Sequence, residues 1–158
     1  MNTKNIIPAL IILFTISCNT TKKINTQAEN NSNIKQEITS NNPITEKYWK
    51  LKTLAGKDIK MVENQEREQY FILKMDGNRV TGFSGCNNFN GSYTLEKGNR
   101  IHFTQMLSTL KACPNVNINE SEFLKIFNLV DNYTINGDTL NLNIGRRAPL
   151  AVFEAVYF

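Results

Sequence analysis

From Tyr48 onward the chain is a succession of short segments in which apolar and polar residues alternate, each ended by a turn signal. A period of two places alternate side chains on opposite faces of a strand, so each segment can bury one face and wet the other. Tyr48–Leu54 reads this way, Ile59–Val62 is a shorter segment, and Gln69–Met75 is a stronger one. Asp76-Gly77-Asn78 predicts a tight primed hairpin turn into Arg79–Phe83, because Asp-Gly suits positive φ. Gly91–Leu95 and Arg100–Phe103 continue the series. The clearest alternation is Thr139–Ile144, joined to Tyr133–Ile135 through Asn136-Gly137-Asp138, and Leu150–Tyr157 is the last strand. One stretch breaks the period. Asn119 followed by Glu122 is a capping-box pattern, and Phe123, Ile126, Phe127 and Val130 then fall at helical spacing, which predicts a helix over Glu120–Asp131. Many strands joined by hairpin signals, with one helix, predict a mainly β fold in which an antiparallel sheet curls into a small β-barrel or sandwich.

The N-terminal part has a different texture. A short cationic start with Lys4 precedes the apolar run Ile6–Ile16, and Ser17-Cys18 follows. A run of this length falls well short of the ~20 residues a bilayer-spanning helix needs, and it fits the apolar region of a signal peptide. Ser-Cys at its end resembles the bacterial lipobox, although Thr15 stands where leucine is usual. The resemblance implies a lipid on Cys18, attachment to a membrane through it, and a place in the cell envelope. Residues 19–46 are rich in Asn, Thr, Ser, Lys and Gln, with only Ile24, Ile34, Ile38 and Ile44 large and apolar. Such a stretch cannot bury enough surface to offset its ordering entropy, and as a flexible tether it would reach about 30 Å. The expected organisation is a signal peptide over residues 1–17, a lipidated tether over 18–46, and one folded domain over 47–158.

Charge excludes little but says something. The formal net charge is +4, and loss of Lys4 with the signal peptide lowers it to about +3. The basic residues are scattered, with no basic run interleaved with aromatics, so a nucleic-acid partner is not expected.

The segment Gly82-Phe83-Ser84-Gly85-Cys86-Asn87-Asn88-Phe89-Asn90-Gly91-Ser92-Tyr93, followed by Thr109-Leu110-Lys111-Ala112-Cys113-Pro114, resembles the META domain, the family of the heat-shock protein HslJ. Tyr48-Trp49-Lys50-Leu51 matches the opening tryptophan strand, and the helix and closing hairpin follow in the same order. Leu110-Lys111 stands where the family often has arginine and methionine, so no role is carried over to those positions. The resemblance spans about residues 47–157. It implies a lipocalin-like barrel with one helix, often found in bacterial lipoproteins and periplasmic proteins, and a link to stress response and antibiotic tolerance. It implies no reaction.

Three features carry candidate chemistry. With Cys18 assigned to lipid, Cys86 and Cys113 remain as a pair in an oxidising compartment, and a disulfide would close a loop worth roughly 3–4 kcal/mol. Two buried thiols, or a catalytic thiol served by His102, are the alternatives. His102, the single histidine, lies between Ile101 and Phe103 and reads as a strand residue that faces solvent or packs with a satisfied nitrogen, more than as a base. One histidine beside two disulfide-prone cysteines makes a poor metal set, so neither a metal nor another cofactor is expected. Glu63, Glu66 and Glu68 read as a solvated loop balanced by Arg67. In the Gly85–Gly91 loop, Asn87, Asn88, Phe89 and Asn90 offer amides and an aromatic for recognition. The same Asn and Gly residues equally suit tight turns and strand ends. The sequence-level expectation is a non-enzymatic, lipid-tethered module that binds an envelope protein or other envelope component. A carrier of a small apolar ligand is the alternative, and it requires a cavity of several hundred Å3 inside the barrel. A thiol enzyme stands third.

Overall fold

The computed structural model describes residues 43–158. The signal-peptide and lipidation readings, and the tether up to residue 42, lie outside the described residues. Nine strands and one α-helix follow in order: β1 Tyr48–Leu54, β2 Lys57–Asp58, β3 Tyr70–Lys74, β4 Arg79–Phe83, β5 Asn88–Glu96, β6 Arg100–Ser108, α1 Glu120–Leu129, β7 Asn132–Asn136, β8 Thr139–Asn143 and β9 Ala151–Val156. All pair antiparallel in the order β2-β1-β3-β4-β5-β6-β7-β8-β9. A further pairing of β1 with β9, from Tyr48↔Val156 to Leu54↔Ala151, closes the sheet into a ring. Closure gives every long strand two neighbours and leaves two-residue β2 as a short outer edge.

The alternating residues behave as their period predicts. Trp49, Leu51 and Leu54 of β1, Phe71 and Leu73 of β3, Leu140 and Leu142 of β8, and Phe153 of β9 all point inward and are buried. The ring is weakest between β6 and β7, which pair only at Arg100↔Asn132. Helix α1 packs against β6 and directs Phe123, Ile126 and Phe127 into the core. The Phe127 ring meets those of Phe71, Phe89 and Phe103 at 5.6, 5.1 and 5.0 Å, and Phe71 meets Phe153 at 4.9 Å. These aromatic contacts occupy the interior. A lipocalin-like ligand chamber, required by the carrier reading, is therefore replaced by a packed aromatic core. Each fully buried Phe contributes about 2–3 kcal/mol of apolar burial, so filling the ring with rings is itself a major source of stability.

Several boundaries differ from expectation for local reasons. The Asp76-Gly77-Asn78 turn is a 3-10 turn, with Lys74↔Arg79 the last strand pair and positive φ at Gly77 and Asn78. The loop therefore has four residues instead of a primed two-residue turn. The segment after β1 pairs only over Lys57–Asp58, and Ile59–Val62 runs on as loop. β5 and β6 are longer than their alternation suggested because a bulge interrupts the period. Asn90 pairs Leu107 while Ser92 pairs Thr104, which places two residues of β6 opposite Gly91 and gives Gln105 a φ of 53°. Met106 then occupies the space beside Gly91, where a Cβ would lie 2.5 Å from its sulfur. The folded part also starts earlier than residue 47. Ile44 is fully buried and Thr45 nearly so, and the Ile44 carbonyl accepts a 2.8 Å hydrogen bond from Trp49 Nε1. Residues 43–46, assigned to the tether by their polar surroundings, thus belong to the domain.

Candidate functional site

The Ser84–Asn87 loop connects β4 to β5 and turns back beneath the start of α1. Gly82 precedes it at a point where strands and core are in contact: a Cβ there would stand 2.3 Å from the Tyr70 carbonyl oxygen and 2.4 Å from Phe89 Cζ. Gly85 adopts φ +116°, which only glycine accepts without strain. This fold-back turns the loop's backbone N–H groups toward the helix N-terminus.

Glu120, the first residue of α1, fills the concavity. Its Oε1 accepts hydrogen bonds from the backbone N–H of Asn87 at 2.7 Å and of Cys86 at 3.0 Å, and from the Ser84 hydroxyl. Its Oε2 accepts from Asn87 Nδ2 at 2.8 Å. Burial works against the charge, but donation from Ser84, from the Asn87 side chain and from the Asn87 and Cys86 amides outweighs it. The carboxyl is held below its ordinary range. The position also suits a carboxylate electrostatically, because the first turn of a helix carries a partial positive charge.

Asn87 is the hub. Only 7% exposed, it accepts at Oδ1 from Thr109 Oγ1 and from the Lys111 backbone N–H, both at 2.7 Å. Its Nδ2 also reaches the Lys111 carbonyl at 3.2 Å. One amide thus ties three segments together: its own loop, the Thr109–Lys111 strand extension and the helix start. Gln69 Nε2 donates to the Ser84 carbonyl at 2.7 Å and fixes the loop's near end to the residue just before β3. Cys86 and Cys113, 27 residues apart in sequence, form a disulfide that covalently fastens the loop to the segment following Lys111. Beside it lies an open cleft of about 240 Å3, bordered by Asn64, Glu66, Phe83, Lys111 and Pro114.

The four residues read as a recognition loop therefore divide. Asn87 is buried in the network, and Phe89 is 2% exposed, with its ring against Phe123 and Phe127 at 5.9 and 5.1 Å. An exposed aromatic at Phe89 is not what the structure has. β5 begins at Asn88, and its inward positions are the odd-numbered ones, so Phe89 turns to the core. Asn88 and Asn90 face outward and are exposed. Asn90 borders a shallow groove of about 530 Å3 with Arg79, Ser92, Gln105 and Leu107, on the outer surface of β4, β5 and β6.

His102 pairs with Thr94 on β5, and the disulfide leaves neither Cys86 nor Cys113 as a free thiol, so the structure assembles no thiol–imidazole pair from them. In the acidic loop, Glu66 pairs with Arg67 at 2.8 Å on the surface, while the Arg67 guanidinium lies over the Phe83 ring at 5.0 Å. Among the described residues no group of three or more His, Cys, Asp or Glu side chains is placed to hold a metal ion. Glu120 is the residue that sequence reasoning missed. The capping pattern drew attention to Glu122, whose backbone N–H does donate to Asn119 Oδ1 at 3.3 Å. The available signal was an acid at the first helical position in a chain that also contains a Ser-Gly-Cys-Asn loop, a turn rich in N–H donors without strand partners.

Known proteins share the fold. The fold is similar to the NMR structure of a protein from Burkholderia xenovorans, 22% identical, with a TM-score of 0.56 over 77% of this chain and 88% of that one. A second protein solved by NMR is 15% identical, with a TM-score of 0.54 over 70% and 90% of the two chains. A crystal structure of a DUF4847-family protein from Bacteroides vulgatus is more distant, 14% identical with a TM-score of 0.44 over 72% and 93% of the two chains. Among curated proteins none matches. A model of the META domain matches residues 42–157, which include β1, the Glu120-bound loop, the disulfide, α1 and the closing β7–β9 strands. The chain belongs to the META domain family.

Proposed function

We propose that this chain is a lipid-anchored protein of the bacterial cell envelope whose META domain is a rigid, non-enzymatic binding module, serving stress response or antibiotic tolerance by holding an envelope protein or other envelope component. The observation that carries the reading is the division of the signature loop. Its chemically capable groups, Cys86, Asn87 and the loop amides, are engaged with Cys113, Lys111 and Glu120, which makes them fasteners. The outward residues Asn88 and Asn90 remain available on a framework fixed by that network.

The binding face is then the groove formed by Arg79, Asn90, Ser92, Gln105 and Leu107. Its uncharged amides and hydroxyl, one guanidinium and one exposed leucine suit a polar, hydrogen-bonding surface of a partner more than an apolar small molecule. Crosslinked capture from the protein's own envelope tests it. The combined Asn90→Lys and Leu107→Glu substitution should abolish the crosslinked species while leaving the thermal midpoint within a few degrees of the parent. Undiminished capture by this variant would remove the groove from the proposal. Mass spectrometry of the mature N-terminus tests the anchor independently, and an unacylated Cys18 would refute it.

A further inference from the structure

The exposed apolar residues are not evenly spread. Tyr157 and Phe158, at 66 and 100% exposure, line one groove with Glu46, and Met75, at 42%, adjoins it through its backbone N–H on Glu46, close to where residues 1–42 join the described chain. Glu46 accepts from the Met75 backbone N–H at 2.7 Å and pairs with Lys74 at 2.9 Å. Its neighbour Lys47 lies over the rings of Trp49 and Tyr157, at 5.6 and 5.9 Å. Tyr48 stacks on Tyr70 at 4.1 Å and receives the edge of Phe158 at 5.3 Å. Glu46, Lys47, Tyr48, Lys74, Tyr157 and Phe158, with Ile72 and Val156, line an open groove of about 320 Å3. Exposed aromatic rings and a methionine beside lysines, one of them with its ammonium over the rings of Trp49 and Tyr157, are the composition of a surface that rests at a lipid–water boundary.

We propose that this end of the ring docks on a lipid bilayer surface, so that the domain sits on the membrane instead of hanging clear of it. The proposal rests on the reading that Cys18 carries lipid, and what favours a bilayer over other occupants is the position of the patch. The chain between Cys18 and residue 43 enters the domain at the patch itself, so an acyl anchor would hold this end at high local concentration near the headgroups. The charges at the rim, Lys47 and Lys74 against Glu46 and the Asp138 that accepts from the Tyr157 hydroxyl, nearly balance. Docking therefore depends chiefly on apolar insertion. The groove of Arg79, Asn90 and Leu107 is lined by none of the same residues, although Arg79 is the cross-strand partner of Lys74.

The test uses the mature chain with Cys18→Ser, which lacks the acyl group, and vesicles of phosphatidylethanolamine with phosphatidylglycerol. Flotation should recover protein with the vesicles. The combined Met75→Gln and Phe158→Gln substitution should lower partitioning by at least about tenfold. Leu110→Gln should leave partitioning unchanged, because Leu110, though 98% exposed, does not line the groove and adjoins the Lys111 that bonds Asn87. Equal partitioning of parent and double variant, or no partitioning of the parent, would overturn the proposal. So would a parent that is dimeric in solution and becomes monomeric on the same substitutions, which would assign the patch to a second copy. None of these outcomes depends on whether Cys18 is acylated, which mass spectrometry of the native protein decides separately.

Discussion

Glu120 Oε1 lies 2.7 Å from the backbone nitrogen of Asn87, joining the first residue of the only helix among the described residues to the centre of the signature loop across 33 positions of sequence. Four donors converge on that carboxylate, and hydrogen bonds to a charged group are worth roughly 1.5–3 kcal/mol each in a partly buried site. Glu120→Gln keeps the shape but replaces one acceptor oxygen with an amino group facing donors. We expect a loss of about 2–3 kcal/mol, read as a lower urea midpoint at unchanged slope.

Acid should expose the same interaction. The Glu120 carboxyl titrates below its ordinary value in the folded protein, so folding favours its ionised form. Its contribution is fully present above the unfolded-state pKa and disappears as pH falls through the lowered folded value. Glu46, held low by Lys74 and the Met75 amide, acts in the same direction. Urea unfolding from pH 7 down to about pH 3 should show the parent losing more stability than Glu120→Gln, the difference between them isolating Glu120. Parallel curves would show that the carboxylate is not preferentially ionised in the fold.

Gly82→Ala places a methyl group against the Tyr70 backbone carbonyl and the Phe89 ring, both closer than 3 Å. A strand backbone cannot retreat as a flexible side chain can, so the cost should reach about 3 kcal/mol or more. Failure to fold, or a thermal midpoint lowered by more than about 10 °C, is the expected outcome. A near-native midpoint would mean that β4 separates from β3 and β5 more easily than its pairing with both implies.

Ile44 predicts where the domain begins. It is fully buried, and its carbonyl holds the Trp49 indole, so Ile44→Ala should cost about 2–4 kcal/mol. A chain starting at residue 47 should be less stable than one starting at residue 43 by at least as much, with tryptophan fluorescence reporting the loosened indole.

The covalent fastener can be separated from the polar one. Replacing both Cys86 and Cys113 by alanine removes roughly 3–4 kcal/mol by the chain-entropy argument, yet leaves the Asn87–Lys111 and Glu120 hydrogen bonds in place. The near-ultraviolet circular dichroism should therefore stay native-like at low temperature while the urea midpoint falls. Loss of the native signal without denaturant would show that the network cannot hold the loop alone.

Much of this protein was legible because strands and helices are local. Tyr48–Leu54 and Arg79–Phe83 appear with their expected limits, and the N-cap at Asn119 and the inward faces of β8 and α1 follow directly from period and capping chemistry. Local rules fail where a residue's role depends on a distant one. The β5–β6 bulge, with Met106 beside Gly91, breaks the alternation that would reveal the full length of the two strands. Ile44 looked like a stray apolar residue in a polar stretch until Trp49 gave its carbonyl a partner.

The sequence by itself determined a mainly β chain with one helix, the inward and outward sets of most strands, membership of a recognisable family, and a pair of cysteines suited to each other. Tertiary structure decided that β1 meets β9, that aromatic rings fill the closed sheet, and that Asn87 and Phe89 face inward while Asn88 and Asn90 face out. It alone identified Glu120 as the counterpart of the loop. Periodicity is a property of neighbouring residues and can be read along the chain. A buried carboxylate becomes stable only when donors from Ser84, Cys86 and Asn87 reach it together, and that convergence exists only after the chain has folded.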